Sequence, residues 1–304
     1  MKCRVCKSKA VISLPRHNSA FCKEHFIEFF RAQVKKAIKE FRMFTPEDRI
    51  LLCVSGGKDS LSLWHCLTEL GYKADGLYID LGIDGYSEQS RQLTEDMSKA
   101  LQRKLIIIDL KKDYAPVPVL AKTVRKSPCS VCGTVKRYFF NRVAIEGGYT
   151  VVATGHNLDD EAARLLGNVL RWQVDYLAKQ HPSLEEEHGL KKKVKPLCRL
   201  TEQEVAGYAF LNRIRYILQE CPMSRDATSL IYKKALNLIE TESPGTKHYF
   251  YQEFLKKKET LGLIPEKTTN QGLCSHCGMP TFSETCSFCR MMEKAKKTSQ
   301  KIQI

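Results

Sequence analysis

The stretch RILLCVSGGKDS, residues 49–60, decides the fold. Its apolar first half has the length of a buried strand, and residues 59–70 then show helical spacing that ends at Gly71. Small residues at this turn would let backbone N–H groups approach phosphate oxygens at a helix N-terminus. A Walker A loop has a different glycine spacing. The stretch therefore predicts a phosphate-binding strand, turn and helix of another kind.

Strand-like and helix-like segments alternate through most of the chain after this turn. Such alternation predicts an α/β fold, a doubly wound parallel sheet with helices on both faces. The strand patterns cover residues 76–81, 104–110, 150–154 and 193–197, and the helical patterns cover residues 87–101, 134–146, 158–170, 201–214 and 229–261.

Cysteine pairs near both ends indicate metal binding. The chain has 13 cysteines, and in a reducing compartment such spacing is more typical of metal sites than of disulfides. Two chelating pairs complete a closed tetrahedral Zn²⁺ shell. We therefore predict small zinc-binding modules at both termini, with unrelated reduced cysteines as the alternative. The predicted ligands are Cys3, Cys6, Cys22 and His25 in the first module, and Cys274, Cys277, Cys286 and Cys289 in the second.

The charge balance favours a polyanionic partner. Lysine and arginine number 49 against 34 acidic residues, which gives a net charge of +15. A merely solvated basic surface is the alternative. No apolar run approaches the roughly 20 residues that a membrane span needs, and no signal-peptide pattern follows Met1. We therefore expect a cytoplasmic protein with no membrane partner.

Three motifs resemble one enzyme family. Ser55-Gly-Gly-x-Asp-Ser60 resembles the PP-loop of the ATP pyrophosphatases, which cleave ATP between the α- and β-phosphates. GHNLDDEA, residues 155–162, and PCSVCG, residues 128–133, resemble further signatures of the PP-loop tRNA thiolases. With the zinc modules included, the likeness covers almost the whole chain and is closest to the thymine-loop 2-thiouridine synthases. The wobble-uridine thiolases share most of these features and are the near alternative.

The resemblance implies an adenine nucleotide alpha hydrolase-like fold and an enzyme, an ATP-dependent tRNA sulfurtransferase. The C2 carbonyl oxygen of a uridine would be adenylated and then replaced by sulfur. The implied cofactors are ATP, Mg²⁺, two Zn²⁺ and a [4Fe-4S] cluster. The implied partners are tRNA and a ubiquitin-like sulfur carrier with a C-terminal thiocarboxylate, or free sulfide, and we expect a homodimer. The expected units are a zinc finger at 1–30, the PP-loop catalytic domain at 31–264, and a zinc finger with a basic tail at 265–304.

The resemblance also assigns roles residue by residue. Asp59 would help to place Mg²⁺, and Asp159 and Asp160 would orient Mg²⁺ or cap a helix. For His156, a structural role is as well supported as a catalytic one. Solvent exposure is the alternative for Lys136 and Arg137. The catalytic set is Asp59, Lys136, Cys129, Cys132 and Cys221, and the nucleotide set is Cys53, Ser55, Gly56, Gly57, Lys58, Asp59, Ser60, Ile79, Lys136, Arg137, Gly155 and Asp160.

Three cysteines remain for chemistry. Two residues separate Cys129 from Cys132, and Cys221 is distant, which is an incomplete shell for Zn²⁺ but suits a [4Fe-4S] cluster with one iron left open. The resemblance favours the cluster. The spacing alone equally allows a persulfide route, in which one cysteine carries sulfur and another resolves it. Cys53 also fits the apolar core pattern, and we expect Cys66 and Cys198 to be structural.

Two other classes of function stay open at this point. A PP-loop ligase or amidotransferase would need the nucleotide loop but not the three cysteines. A zinc-ribbon RNA-binding scaffold would need neither.

Overall fold

The computed structural model describes residues 1–223, 228–265 and 272–302, with side chains described as far as residue 297. Parts of the predicted C-terminal unit, residues 266–271 and 303–304, therefore lie outside the described residues. Within the described ranges, every helix is too short or too polar to cross a bilayer.

The elements alternate between strands and helices through the centre of the chain, as the sequence pattern predicts. A single 3-10 turn, Pro15–His17, joins the first two strands. In chain order the elements are β1 (Ile12–Leu14), β2 (Ser19–Phe21), α1 (Lys23–Glu40), β3 (Ile50–Val54), α2 (Lys58–Glu69), β4 (Ala74–Asp80), α3 (Tyr86–Leu101), β5 (Leu105–Asp109), α4 (Leu110–Asp113), α5 (Val117–Val124), α6 (Pro128–Glu146), β6 (Val151–Thr154), α7 (Leu158–Leu170), α8 (Val174–Lys179), β7 (Ser183–Leu184), β8 (Lys192–Val194), α9 (Glu202–Leu211), α10 (Thr228–Glu242), α11 (Thr246–Lys257), β9 (Gly272–Leu273), β10 (Pro280–Thr281) and α12 (Ser287–Ile302).

The central sheet has six strands in the order β5-β4-β3-β6-β8-β7. β3 pairs in parallel with β4 on one side and β6 on the other, so that Cys53 lies opposite both Leu77 and Thr154. The predicted parallel α/β sheet is confirmed, except that the short edge strand β7 runs antiparallel to β8. Because the strand order reverses at β3, the loop after this strand lies at the switch point where such sheets bind ligands.

The sheet separates two hydrophobic cores, and every residue of β3 is buried. Ile50, Leu52 and Val54 face a core formed with α1, α2 and α9, whereas Leu51 and Cys53 face a second core formed with α5 and α6. The N-terminal cysteine module packs into the first core and the C-terminal module into the second. The two modules therefore cover opposite faces of the sheet.

Two helix predictions are wrong at their boundaries. α6 begins at Pro128 rather than at residue 134, because the Ser127 side chain accepts the backbone N–H of Ser130 and proline fits the first helical position. The paired cysteines therefore lie on the first turn of a helix. The single helical segment predicted for 229–261 is two helices, and Gly245 between them has a φ of +101°, which favours glycine.

The N-terminal module is held to α9 by a buried ion pair. The Arg16 guanidinium lies 2.6 Å from the Glu204 carboxylate, and a second bond from Arg16 reaches the Arg199 carbonyl at 2.9 Å. Glu204 also closes the predicted capping box with Thr201 at the start of α9. The Glu204 carboxylate thus caps the N-terminus of α9 and also anchors the N-terminal module.

Replacing Arg16 with methionine should lower the free energy of unfolding by about 3 kcal/mol, because the buried Glu204 carboxylate loses its cation. Urea denaturation measures the loss. Arg31→Met is the matched control, since Arg31 and Glu69 are also 2.6 Å apart but both are partly exposed. That change should cost less than about 1 kcal/mol. Equal losses in the two variants would contradict the anchoring role.

Candidate active site

The loop after β3 is tightly folded. The Ser55 backbone N–H donates to the Ser60 Oγ at 3.1 Å, and that hydroxyl donates to the Gly57 carbonyl at 3.1 Å. Gly56 has a φ of +75°, and a Cβ there would lie 2.6 Å from the Ser90 carbonyl oxygen. Only glycine meets both conditions. These contacts hold the loop backbone close to the N-terminus of α2.

The second signature lies directly against this loop. A Cβ added at Gly155 would lie 2.8 Å from the Ser60 nitrogen. Asn157 Nδ2 donates to Asp59 Oδ1 at 3.0 Å, and Asn157 forms a capping box with Asp160 at the start of α7. Lys233 also pairs with Asp160 at 2.7 Å. Of the two roles predicted for Asp160, the structure displays the helix cap.

Charged groups surround the start of α2. Lys58 Nζ lies 2.7 Å from Glu202 and 3.1 Å from Asp59. Burial raises the pKa of the Asp59 carboxyl, and Lys58 and the Asn157 amide only partly offset this effect. A bound divalent cation would favour the ionised carboxylate, so Asp59 is suited to act as its ligand.

A cavity of about 320 Å³ opens beside the loop and is the candidate active site. The residues singled out from the sequence that line it are Cys53, Ser55, Asp59, Ser60, Ile79, Cys132, Lys136, Gly155, His156 and Cys221, whereas Gly56, Gly57, Lys58, Cys129, Arg137 and Asp160 stand outside its described wall.

Several wall residues carried no sequence signal. Tyr78 comes from the interior of β4, and Phe140 comes from the middle of α6. Tyrosine and phenylalanine at buried positions are ordinary core residues in a sequence pattern, so only the fold places them at a cavity. The other unpredicted wall residues are Val54, Leu77, Leu81, Tyr86, Ser87, Ser90 and Thr154.

His156 is held in the cavity wall by a short contact. Its Nδ1 lies 2.8 Å from the Thr154 hydroxyl. Burial lowers the pKa of this imidazole, which favours the neutral form at pH 7. A neutral imidazole can donate one hydrogen bond and accept another without adding charge to the cavity.

The segment that carries Cys221 is tied to the phosphate loop. The Ile217 backbone N–H donates to the Gly56 carbonyl at 2.9 Å. Beyond it, Cys129 Sγ donates to the Met223 carbonyl at 3.5 Å. Burial raises the pKa of Cys129, and the nearby thiols of Cys132 and Cys221 raise it further. Cys132 and Cys221 line the cavity, and Cys129 lies close enough to both for their charges to affect its thiol.

The two terminal cysteine sets have zinc-site dimensions. Zinc–sulfur bonds of about 2.3 Å place two sulfurs of a tetrahedron about 3.8 Å apart. The Cys6 and Cys22 sulfurs are 3.8 Å apart, and so are those of Cys277 and Cys286. In each set the four ligand atoms all lie within 4.8 Å of one another.

Backbone donors prepare one thiol in each set for ionisation. Burial opposes the ionisation of Cys3, but backbone N–H groups, led by that of Cys6, outweigh it and lower its pKa to about 6. Cys274 has the same balance, with the Cys286 N–H as the main donor, and a pKa of about 6. Thiolates are the form that binds zinc.

The trio at the cavity has different dimensions. Among the described residues, only the two terminal sets form groups within 4.8 Å, so Cys129, Cys132 and Cys221 are too widely spaced to enclose one small ion. A four-iron cluster is larger than a single ion and takes thiolate ligands. A separation above 4.8 Å and thiol side chains beside a cavity are compatible with such a group.

An aromatic contact joins the C-terminal module to the helix that carries two of these thiols. Phe288 stacks on Tyr138 of α6 at 4.0 Å between ring centroids, and Tyr114 and Phe139 meet Phe288 edge-on. Such pairs add stability beyond the buried area. The fold of this module therefore bears on the position of α6.

A larger cavity, of about 450 Å³, lies between the N-terminal module and α9 and α10. Charged residues in its wall form ion pairs with each other: Arg16 pairs with Glu204, and Lys247 pairs with Asp159. The phosphate loop and the cavity thiols are not in its described wall. The geometry therefore favours the smaller cavity as the active site.

Comparison with known proteins identifies the family. Residues 2–27 match the family described as the N-terminal LIM domain of 2-thiouridine synthetase TtuA, and residues 28–227 match the PP-loop domain family. A Thermus thermophilus protein named tRNA-5-methyluridine(54) 2-sulfurtransferase is 44% identical over 303 residues, which are 99% of this chain and 94% of that protein. The chain belongs to the tRNA-5-methyluridine(54) 2-sulfurtransferase family. A Thermotoga maritima protein of the same name is 44% identical over 99% of both chains.

A solved structure supports the fold assignment of this 2-sulfurtransferase family member. The U34-tRNA thiolase NcsA from Methanococcus maripaludis, solved with its [4Fe-4S] cluster, matches with a TM-score of 0.77 at 26% identity. The match covers 85% of this chain and 88% of that chain. The predicted family and fold class are both confirmed.

In this 2-sulfurtransferase family member, Gly155→Ala should weaken ATP binding at least about tenfold, because the new Cβ must displace the Ser60 backbone at the phosphate loop. Calorimetric titration with ATP measures the change. Gly272→Ala is the control, since a Cβ there meets nothing within 4 Å. Unchanged affinity in the Gly155 variant would show that the loop tolerates displacement.

Proposed function

We propose that the chain is an ATP-dependent tRNA sulfurtransferase that replaces the C2 oxygen of 5-methyluridine 54 with sulfur. One observation carries the proposal: Cys132 and Cys221 line the same cavity as the phosphate-loop residues Ser55 and Ser60. A nucleotide-activating site and a thiol site in one wall suit a reaction that needs both. The identity of 44% to relatives named for this reaction supports the choice of uridine.

The first step would activate the base. The loop around Ser55 would hold the phosphates through backbone N–H groups, and Asp59 would bind Mg²⁺ against them. The C2 carbonyl oxygen would attack the α-phosphorus, so that an O–P bond forms and the bond to pyrophosphate breaks. The developing negative charge on pyrophosphate would be stabilised by Mg²⁺ and Lys136. The former carbonyl oxygen then becomes part of a good leaving group.

The second step would exchange oxygen for sulfur. Sulfide adds to C2, the C2–O bond breaks, and AMP departs with the electron pair. Cys129, Cys132 and Cys221 would hold a [4Fe-4S] cluster, and the chemistry that this group would supply is binding of the incoming sulfur. Lys136 lines the cavity, and its charge partly offsets the burial that raises the pKa of Cys129. The protein thus contributes position and charge to both steps.

The remaining cofactors and partners belong to the same proposal. Zinc would hold the modules in 1–30 and 265–304, and these, flanking the catalytic unit in 31–264, would help to grip tRNA. Sulfur would come from a ubiquitin-like carrier with a C-terminal thiocarboxylate, or from free sulfide. We propose a homodimer in the cytoplasm, where 13 cysteines would stay reduced.

The decisive experiment uses anaerobically purified chain and unmodified tRNA. We expect four iron atoms and four sulfides per chain. We also expect ATP-dependent formation of the 2-thio base at position 54, mapped by nuclease digestion and mass spectrometry. Cys221→Ser should abolish thiolation and lose bound iron while ATP affinity stays within about twofold. Cys66→Ala is the control, since Cys66 is buried in the other core, and it should keep its iron.

Three outcomes would count against the proposal. Full activity of an iron-free chain would favour the persulfide route. Thiolation at position 34 would assign the chain to wobble-uridine chemistry. An ATP-dependent change of tRNA that adds no sulfur and survives Cys221→Ser would instead indicate a PP-loop ligase-type reaction.

Zinc removal from the C-terminal module should also disturb the active site. Cys277→Ser should lower bound zinc from two ions to one, because it opens a closed four-ligand shell. Iron content should fall in the same variant, since Phe288 no longer packs firmly on α6. Elemental analysis measures both metals. Cys6→Ser is the control, because its module packs on the other core, and it should lose zinc but keep iron.

A further inference from the structure

An exposed tryptophan marks the turn between α7 and α8. Trp172 is 78% exposed and has a φ of +48°. A bulky residue in the left-handed region costs free energy. Because the Trp172 side chain is exposed, its burial does not offset this cost. Glycine would fit the same turn without strain. A tryptophan at this position therefore indicates a role in binding rather than in stabilising the fold.

The turn borders a second cavity that adjoins the active site. This cavity has a volume of about 340 Å³, and His156 lines both it and the nucleotide cavity. Arg164 and Arg171 line it, as does Gln173. Trp172 lies between two of these wall residues in the chain. A molecule bound at the turn would thus be separated from the nucleotide cavity only by the His156 side chain among the described wall residues.

The charges around the turn suit a phosphate backbone. Lys233, in the same cavity wall, is paired with Asp160 at 2.7 Å. Arg164 and Arg171 are both exposed, and neither forms an ion pair with a carboxylate in the part of the chain that the structure describes. From 164 to 179 the chain carries three basic residues and one acidic residue. Guanidinium groups bind phosphates through paired N–H donors.

A second aromatic ring extends the surface. Tyr176, four residues after Trp172 in the chain, is 64% exposed, and Leu170 and Val174 are 61% and 53% exposed. Aromatic rings beside arginines are the usual platform for unstacked bases of single-stranded or looped RNA. A protein partner would use the apolar residues but would leave the arginines without phosphates.

We propose that Arg164, Arg171, Trp172 and Tyr176, here called the Trp172 turn, form the surface that receives the RNA loop. One base stacks on Trp172 and the two arginines bind flanking phosphates, so that the target base is turned past His156 toward the nucleotide. This inference rests on the proposed function. It adds the route by which the substrate reaches the site.

The test compares Trp172→Ala with Trp172→Phe in the full chain. Loss of the ring should raise the KM for unmodified tRNA by about 5- to 150-fold, the range for removal of one stacked base. Trp172→Phe should recover most of the affinity, and the affinity for ATP should be unchanged in both variants. Melting temperatures check that both variants fold.

The arginines are tested by salt dependence. Arg164→Gln and Arg171→Gln should each reduce the slope of log Kd for tRNA against log salt by about 1, since each removes one phosphate contact. Phe210→Ala is the control, because Phe210 is 81% exposed and lines none of the cavities described above. It should change neither the KM nor the slope.

The outcomes separate this inference from the proposed function. If wild-type chain does not thiolate tRNA, the proposed function fails. If wild-type chain thiolates tRNA and Trp172→Ala keeps its KM, the inference alone fails. If Trp172→Ala instead changes the sedimentation of the chain without changing tRNA affinity, the Trp172 turn binds a second copy of the chain and the inference is overturned.

Discussion

The hydrogen bond from the Ile217 amide to the Gly56 carbonyl joins the two halves of the active site. It fixes a late segment of the chain against the phosphate loop, and this segment carries Cys221 to the cavity. Gly56 has a positive φ, and its Cα packs against Ser90 so closely that a Cβ would not fit. The nucleotide site and the third thiol therefore share one backbone contact, and neither can move far without the other.

The two terminal modules pack on opposite faces of the sheet. The N-terminal module completes one core and is anchored by the buried pair of Arg16 and Glu204. The C-terminal module completes the other core and stacks Phe288 on α6, the helix that carries Cys129 and Cys132. The two cysteine modules therefore support different parts of the structure. One end stabilises the scaffold, and the other also supports the thiols.

The sequence predicted the sheet, the phosphate loop and both cysteine sets, because each depends on local spacing. Residues such as Tyr78 and Phe140 could not be predicted as cavity wall, because their pattern is that of ordinary core. The boundary of α6 was missed because the Ser127 cap precedes a proline and two cysteines that interrupt the apolar period. The link from Ile217 to Gly56 is a long-range backbone bond, which no side-chain pattern reports.

The covering of the second face has a consequence for biosynthesis. Phe288 and Met291 belong to that core, yet they are synthesised after every strand of the central sheet. The part of the second core that they cover, beside α5 and α6, therefore stays exposed until the C-terminal module has been made, while the opposite core can already collapse onto the N-terminal module. Nascent chains that have not yet reached the C-terminal module expose this apolar surface, which makes them substrates for chaperones.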